Sequence, residues 1–188
     1  MKKMIVIALA LFLAIPAFTQ EYELSRKEQK KLQKELRKEQ QAEEAAKRMD
    51  ISRLLVEHRK FVLEADRLRD KRGNMVNVSS MINFIACDSV RGVIQIGSNQ
   101  YVGINGVGGI TVEGPIANYK SSYNVKNSSI TVSYNLRTTA GTYDVRMSIY
   151  GEGRAEATIS SNWPGKLNYV GNVVPLPLST VFKGISRY

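Results

Sequence analysis

The chain has little of what most enzyme chemistry is built on. It holds one cysteine, Cys87, one histidine, His58, and one tryptophan among 188 residues. A single cysteine excludes an internal disulfide. Cys87 follows the apolar run Met81-Ile82-Asn83-Phe84-Ile85-Ala86, the setting of a buried small hydrophobe. One imidazole and one thiol do not make a zinc site, and Ser-His-Asp or Cys-His catalysis would have to borrow His58. No cofactor motif is present. The Gly-rich run Gly103-Ile104-Asn105-Gly106-Val107-Gly108-Gly109 lacks the Lys-Ser/Thr ending of a P-loop and the G-x-G-x-x-G spacing. Asn105-Gly106 there reads as a hairpin turn. No apolar run is long enough to span a bilayer comfortably.

Charge of one sign is also missing where it would matter. The formal net charge is +10, but residues 21–50 carry 9 basic against 8 acidic side chains. A nucleic-acid footprint is a one-sign stripe with aromatic or Arg readers, so nucleic acid is set aside. Contact with an anionic surface fits the net charge better. The chain is two materials joined end to end. From Gly73 onward there are 9 Lys/Arg and 5 Asp/Glu, so the other 18 and 12 fall in the first 72 residues.

Met1-Lys2-Lys3, the apolar run from Met4 to Ala14, Pro16 and the small residues of Ala17-Phe18-Thr19 read as a secretory signal peptide, residues 1–19. No Cys follows the run, which excludes a lipoprotein signal. The expected protein is exported, periplasmic or outer-membrane associated, and soluble after cleavage. Residues 20–49 read as a polar, partly helical arm rich in Lys, Glu and Gln, with Glu43–Lys47 among its i,i+4 pairs. It has no sustained a/d seam.

Residues 50–188 read as a helix plus an antiparallel β domain. Ile51, Leu54, Leu55, His58, Phe61, Val62, Ala65 and Leu68 share one face at helical spacing. Gly73 suits a helix end. This predicts an amphipathic helix over 51–72 lying on a sheet. Ser129 to Ser160 carries the sheet signal: Ile130, Val132, Tyr134 and Leu136, then Tyr143, Val145, Met147 and Ile149, then Ala155, Ala157 and Ile159 alternate with polar residues. Shorter strands are expected at 75–78, 81–86, 90–96, 101–104, 110–113, 116–120, 166–170 and 173–174. A helical turn is expected over 179–183. The fold class is mainly β: an antiparallel sandwich or barrel of about nine to ten strands covered by one amphipathic helix.

The runs Phe61-Val62-Leu63-Glu64-Ala65-Asp66, Asn83-Phe84-Ile85, Gly106-Val107-Gly108-Gly109-Ile110-Thr111-Val112-Glu113-Gly114, Val173-Val174-Pro175-Leu176 and Val181-Phe182-Lys183-Gly184 resemble an exported Bacteroidota family, DUF4251, catalogued as a domain of unknown function. The resemblance spans about residues 51–184. It implies a signal peptide and a β-rich domain, and it brings no activity and no catalytic residues. Asp88-Ser89-Val90 resembles the acceptor sequence for O-glycosylation in exported Bacteroidota proteins, with Ser89 as the acceptor.

The functional reading is an exported cell-envelope protein acting as a non-enzymatic binding or structural module. Its expected partners are an envelope lipid, glycan or protein, and its oligomeric state is left open. Tyr101, Asn105, Glu113 and Tyr119 are the candidate ligand contacts. The alternative is a hydrolase of an envelope or dietary polymer. That chemistry asks for two carboxyls across a cleft, and Glu113, beside Gly114-Pro115, is the one acid in a suggestive context.

Overall fold

The computed structural model describes residues 25–98, 100, 103, 105–161 and 165–186. The leader reading, the strand expected over 101–104 and the turn at 162–164 therefore fall wholly or largely outside the described residues. Helix α1 runs unbroken over Arg26–His58. Ser25 and Glu28 close its start reciprocally: the Glu28 amide donates to the Ser25 hydroxyl and the Ser25 amide to the Glu28 carboxylate, a capping box. Up to Lys38 the helix belongs to a unit of its own. Leu32 and Leu36 there are about half exposed, at 47% and 49%, as expected of a polar arm.

Glu39 to Tyr188 forms the second unit, and its body is a nine-stranded antiparallel meander. The strands are β1 (Lys60–Arg69), β2 (Met75–Asn77), β3 (Phe84–Asp88), β4 (Arg91–Ile96), β5 (Ile110–Asn124), β6 (Ser129–Thr138), β7 (Gly141–Tyr150), β8 (Arg154–Ser161) and β9 (Lys166–Pro175). β1 pairs with β3 on one side and β9 on the other, so eight strands close into a barrel. β2 is an extra strand on the far half of β1. Closure leaves no bare edge along most of the sheet. The alternation read over Ser129–Ser160 is realised strand for strand. Val132, Leu136, Met147, Ile149 and Ala157 are fully buried in one cluster, and Thr131, Arg137, Asp144 and Arg146 face outward and are exposed. A bilayer-spanning barrel would show the reverse polarity.

Three expectations are corrected. The predicted helix over 51–72 is a helix only to His58; Lys60 to Arg69 is β1. Arg59 takes a left-handed conformation, φ 55°, which ends the helix and turns the chain into the sheet. Phe61, Val62, Ala65 and Leu68 fit a helical stripe, but Leu63, which the stripe leaves out, is equally buried. As a strand, Phe61, Leu63 and Ala65 enter the interior, while Val62 packs outside with Phe84 and Ala86. The buried face of the helix is accordingly Met49, Ser52 and Val56, with His58, Ile51 and Leu54 exposed. Met49 and Val56 join the interior cluster of the barrel, so this short segment closes the end at which β1 begins.

Second, β5 and β9 are each one long strand where two were expected. β5 passes through Pro115 and absorbs a bulge between Ala117 and Lys120. Third, no helical turn forms over 179–183. A 3-10 turn occupies Leu176–Leu178. The tail beyond it bonds to the loops before β3 and before β5: the Phe182 amide donates to the Met81 carbonyl and the Ile185 amide to the Asn105 carbonyl.

Closure of β1 on β9 leans on Gly171. It faces Ala65 beside the β1 bulge, and a Cβ there would stand 1.9 Å from the Glu64 carbonyl oxygen. Gly171→Ala is therefore expected to destabilise the protein by about 1–3 kcal/mol or more. Gly165→Ala, with open space around it, should leave the urea midpoint unchanged. Equal midpoints for the two variants would contradict this account of the seam.

Candidate functional site

Because the interior is filled, chemistry has to happen at the barrel ends or on its outer wall. The interior itself offers little. Cys87 is fully buried, and burial pushes its thiol up to about 12, so it is not a nucleophile at neutral pH. Tyr119 is not an exposed aromatic, as the sequence suggested. Its hydroxyl donates to the Val56 carbonyl at 2.8 Å, its ring stacks 6.0 Å from that of Tyr134, and the Arg59 guanidinium lies 4.5 Å over it. It fastens the helix end to the barrel. The Tyr134 hydroxyl is buried with no hydrogen-bond partner among the described residues.

The end away from the helix is different. There Ile94, Ile96, Ile110, Val112, Leu167 and Tyr169 line an apolar mouth of about 170 Å³, with Tyr143, Ile159, Ser160, Ser161 and Gly165 completing the wall. Ile110 is 55% exposed, an apolar side chain that the barrel leaves in solvent at the opening. The Tyr169 hydroxyl donates to the Gln95 carbonyl at 3.0 Å, which satisfies its polar end and leaves its ring as apolar wall. A cavity of about 150 Å³ lined by such side chains stays dry and takes benzene.

On the outer wall the C-terminal tail lies across β3, β4 and β5. The Gln95 side chain and the Asn105 carbonyl hold it. The Gln95 amide donates to the carbonyls of Ile82 and Phe182, and its oxygen accepts from Thr111 and from the Gly184 amide. Asn105 donates to Thr111, and its oxygen accepts from the amides of Val107 and Gly109. Both side chains are buried and fully engaged, which is how buried polar groups are ordinarily kept. Beside this network runs a groove of about 300 Å³ with a Phe84, Ala86, Val93 and Val181 floor, and Asp88, Arg91, Glu113 and Lys183 around it. Glu113 accepts from Lys183 at 2.7 Å and from Arg91 at 3.2 Å. The Lys183 ammonium, seconded by Arg91, holds its carboxyl below the usual range despite partial burial.

The four residues read as ligand contacts are thus not brought together. Asn105 and Glu113 both meet the tail, Tyr119 lies inside the wall, and Tyr101 lies outside the described residues. Ser89 sits in the β3–β4 turn at φ 56°, half buried, its amide donating to the Arg59 carbonyl. The mouth was missed. Its walls come from five strands, and no local pattern marks which ends of them meet.

A closed antiparallel meander with a filled interior, one end shut by a helix and the other an apolar mouth, is a small helix-capped β-barrel rather than a pore. The chain matches the family described as Domain of unknown function (DUF4251) over residues 37–173, and it belongs to that family. It is similar to the crystal structure of a DUF4251 family protein from Bacteroides eggerthii, with a TM-score of 0.62 at 28% identity over 73% of this chain and 93% of that one. No curated protein matches it. No helix among the described residues is long and apolar enough to cross a membrane.

Glu113 supplies a pH-linked prediction. Its carboxyl in the folded chain titrates below its ordinary value of 4.5, so its contribution is complete above that pH and is lost as pH falls through the folded value. Glu113→Gln should cost about 0.5–1 kcal/mol at pH 7. By urea unfolding, the gap between variant and parent should narrow steadily as the pH is taken down below 4.5. A gap that stayed constant with falling pH would assign the loss to packing instead.

Proposed function

We propose that the protein is an exported, non-enzymatic binding module of the cell envelope that seats a small apolar group in the open mouth of its barrel. The leader-like start of the chain supports export, and the apolar mouth of about 170 Å³ carries the binding reading. Pockets in barrel mouths are a recurring place for small ligands. The volume suits one ring or the end of an acyl chain, so an envelope lipid presenting a chain terminus is the partner that fits best. Burying that group removes water from Ile96, Ile110 and Leu167, at about 25 cal/mol per Å² of apolar surface.

The test is titration of the mature chain with sodium octanoate and with toluene, followed by amide NMR. Shifts confined to the residues of the mouth, and a rise in melting temperature, are the expected result. Leu167→Trp should fill the mouth and abolish both while still folding. Uniform shifts, no shifts, or shifts that survive Leu167→Trp would refute the site.

One observation favours a second reading, hydrolysis of a polymer: Glu113 and Asp88 line the same groove. Against it, a general acid at neutral pH needs a raised carboxyl, and that of Glu113 is lowered. The expected outcome is no release of reducing ends from envelope or plant polysaccharides. Cleavage that vanishes in a folded Glu113→Gln variant would transfer the assignment to this groove.

A further inference from the structure

We infer that the outer wall of β5–β7 carries a second site, independent of the mouth, for a saccharide whose ring bears a carboxylate. The wall there is dented into a cleft of about 330 Å³ lined by Asn118, Lys120, Ser133, Asn135, Asp144 and Arg146. The register arranges these in two rows. Lys120, Ser133 and Arg146 stand opposite one another across three strands. Asn135 and Asp144 form the next row, which Asn118 joins from the bulge.

Three features make this more than a polar sheet surface. Asn118 holds a left-handed conformation, φ 54°, which Asn tolerates better than most residues. The bulge takes it out of the ladder and aims its amide along the wall. That amide donates to the Asn135 oxygen at 2.8 Å, and the Asn135 amide donates to Asp144. The chain of donors fixes all three side chains and leaves the second Asp144 oxygen free to accept from hydroxyls. Across the cleft, Lys120 and Arg146 are exposed and neither is in an ion pair among the described residues.

A ligand that uses every group must present hydroxyls to Asn118 and Asp144, and an anion to Lys120 and Arg146. A bare anion would use only the first row and would meet repulsion from Asp144 in the other. A neutral sugar would leave both cations idle. Single-stranded nucleic acid would want exposed aromatic platforms, and the one aromatic in the lining, Tyr134, is buried in the interior cluster and offers no face to a base. A uronic-acid sugar satisfies both rows at once. Its attraction to the cations is exposed and so weakens with salt.

The experiment is calorimetric and NMR titration of the mature chain with trigalacturonate, with galactotriose and inorganic phosphate as comparison probes. Trigalacturonate should bind at least tenfold more tightly than either, shift the amides of 118–120, 133–135 and 144–146, and weaken as salt is raised. The double variant Lys120→Ala/Arg146→Ala should lose at least tenfold while melting as the parent does. Leu167→Trp should bind trigalacturonate unchanged, which separates this site from the mouth. No binding, equal binding of phosphate, or undiminished binding by the double variant would overturn the inference.

Discussion

The pairing of β1 with β9 is the constraint on which the molecule rests. It joins the strand after the helix to the last strand of the sheet, from Phe61 opposite Pro175 to Arg69 opposite Asn168. Without it the meander would be an open sheet with two long bare edges and a face of Phe61, Leu63, Val132, Leu136 and Ile149 in water. With it those side chains are among the most completely buried in the chain, each worth about 1.5–3 kcal/mol. Two ion pairs span this seam on the outside, Arg154 with Asp66 at 2.6 Å and Arg69 with Glu156. Both are part-exposed and count for little energetically. Apolar closure does the stabilising, and the charges add a preference for one register.

Closure also explains the placement of everything outside the barrel. A strand that begins at Lys60 and must enter the wall at once fixes where the helix ends. Met49 and Val56 can then only meet the interior at that end. The last strand finishes at the same end, so the tail after Pro175 must return along the outer wall. It does so over Val62, Phe84 and Ala86, outward apolar residues that would otherwise be bare. The Gln95 side chain and the Asn105 carbonyl are the tail's fastenings, and the buried Asn105 side chain holds the loop that presents that carbonyl. Their role is structural, which is why Asn105 makes no free contact for a ligand.

Legibility in the sequence followed the range of the interactions involved. The meander was legible because period two is a local property and its polar phase was undisturbed. The first strand was not, because burial on both faces erased the alternation: Phe61 and Leu63 point in and Val62 is covered from outside by the tail. A run buried on both sides satisfies helical spacing by default. The overlooked signal was Leu63 itself, which no helical stripe accommodates. Glu113 was legible as an isolated acid beside Gly114-Pro115, but its partner Lys183 stands 70 residues later and nothing local joins them. The mouth and the β5–β7 cleft depend on register and on a single bulge, and neither quantity is written in periodicity.

A barrel filled by its own side chains cannot serve as a container, and this narrows the ways it can work. Eight strands leave an interior that side chains can just fill. Here Tyr134, Met147 and Tyr169 fill it, and the helix end seals the rest. What remains available is rim and wall. At the mouth the interior pattern continues to the last residues of each strand, so apolar groups such as Ile110 are carried past the point where the barrel covers them. On the wall, the bulge that lets β5 bend also breaks the regular polar spacing and leaves a dent with ordered donors. Both features are by-products of closing a long, twisted sheet, so selection acting on either would not need to disturb the core. That separation lets rim and wall change their chemistry while the seam, the interior and the helix cap stay as they are.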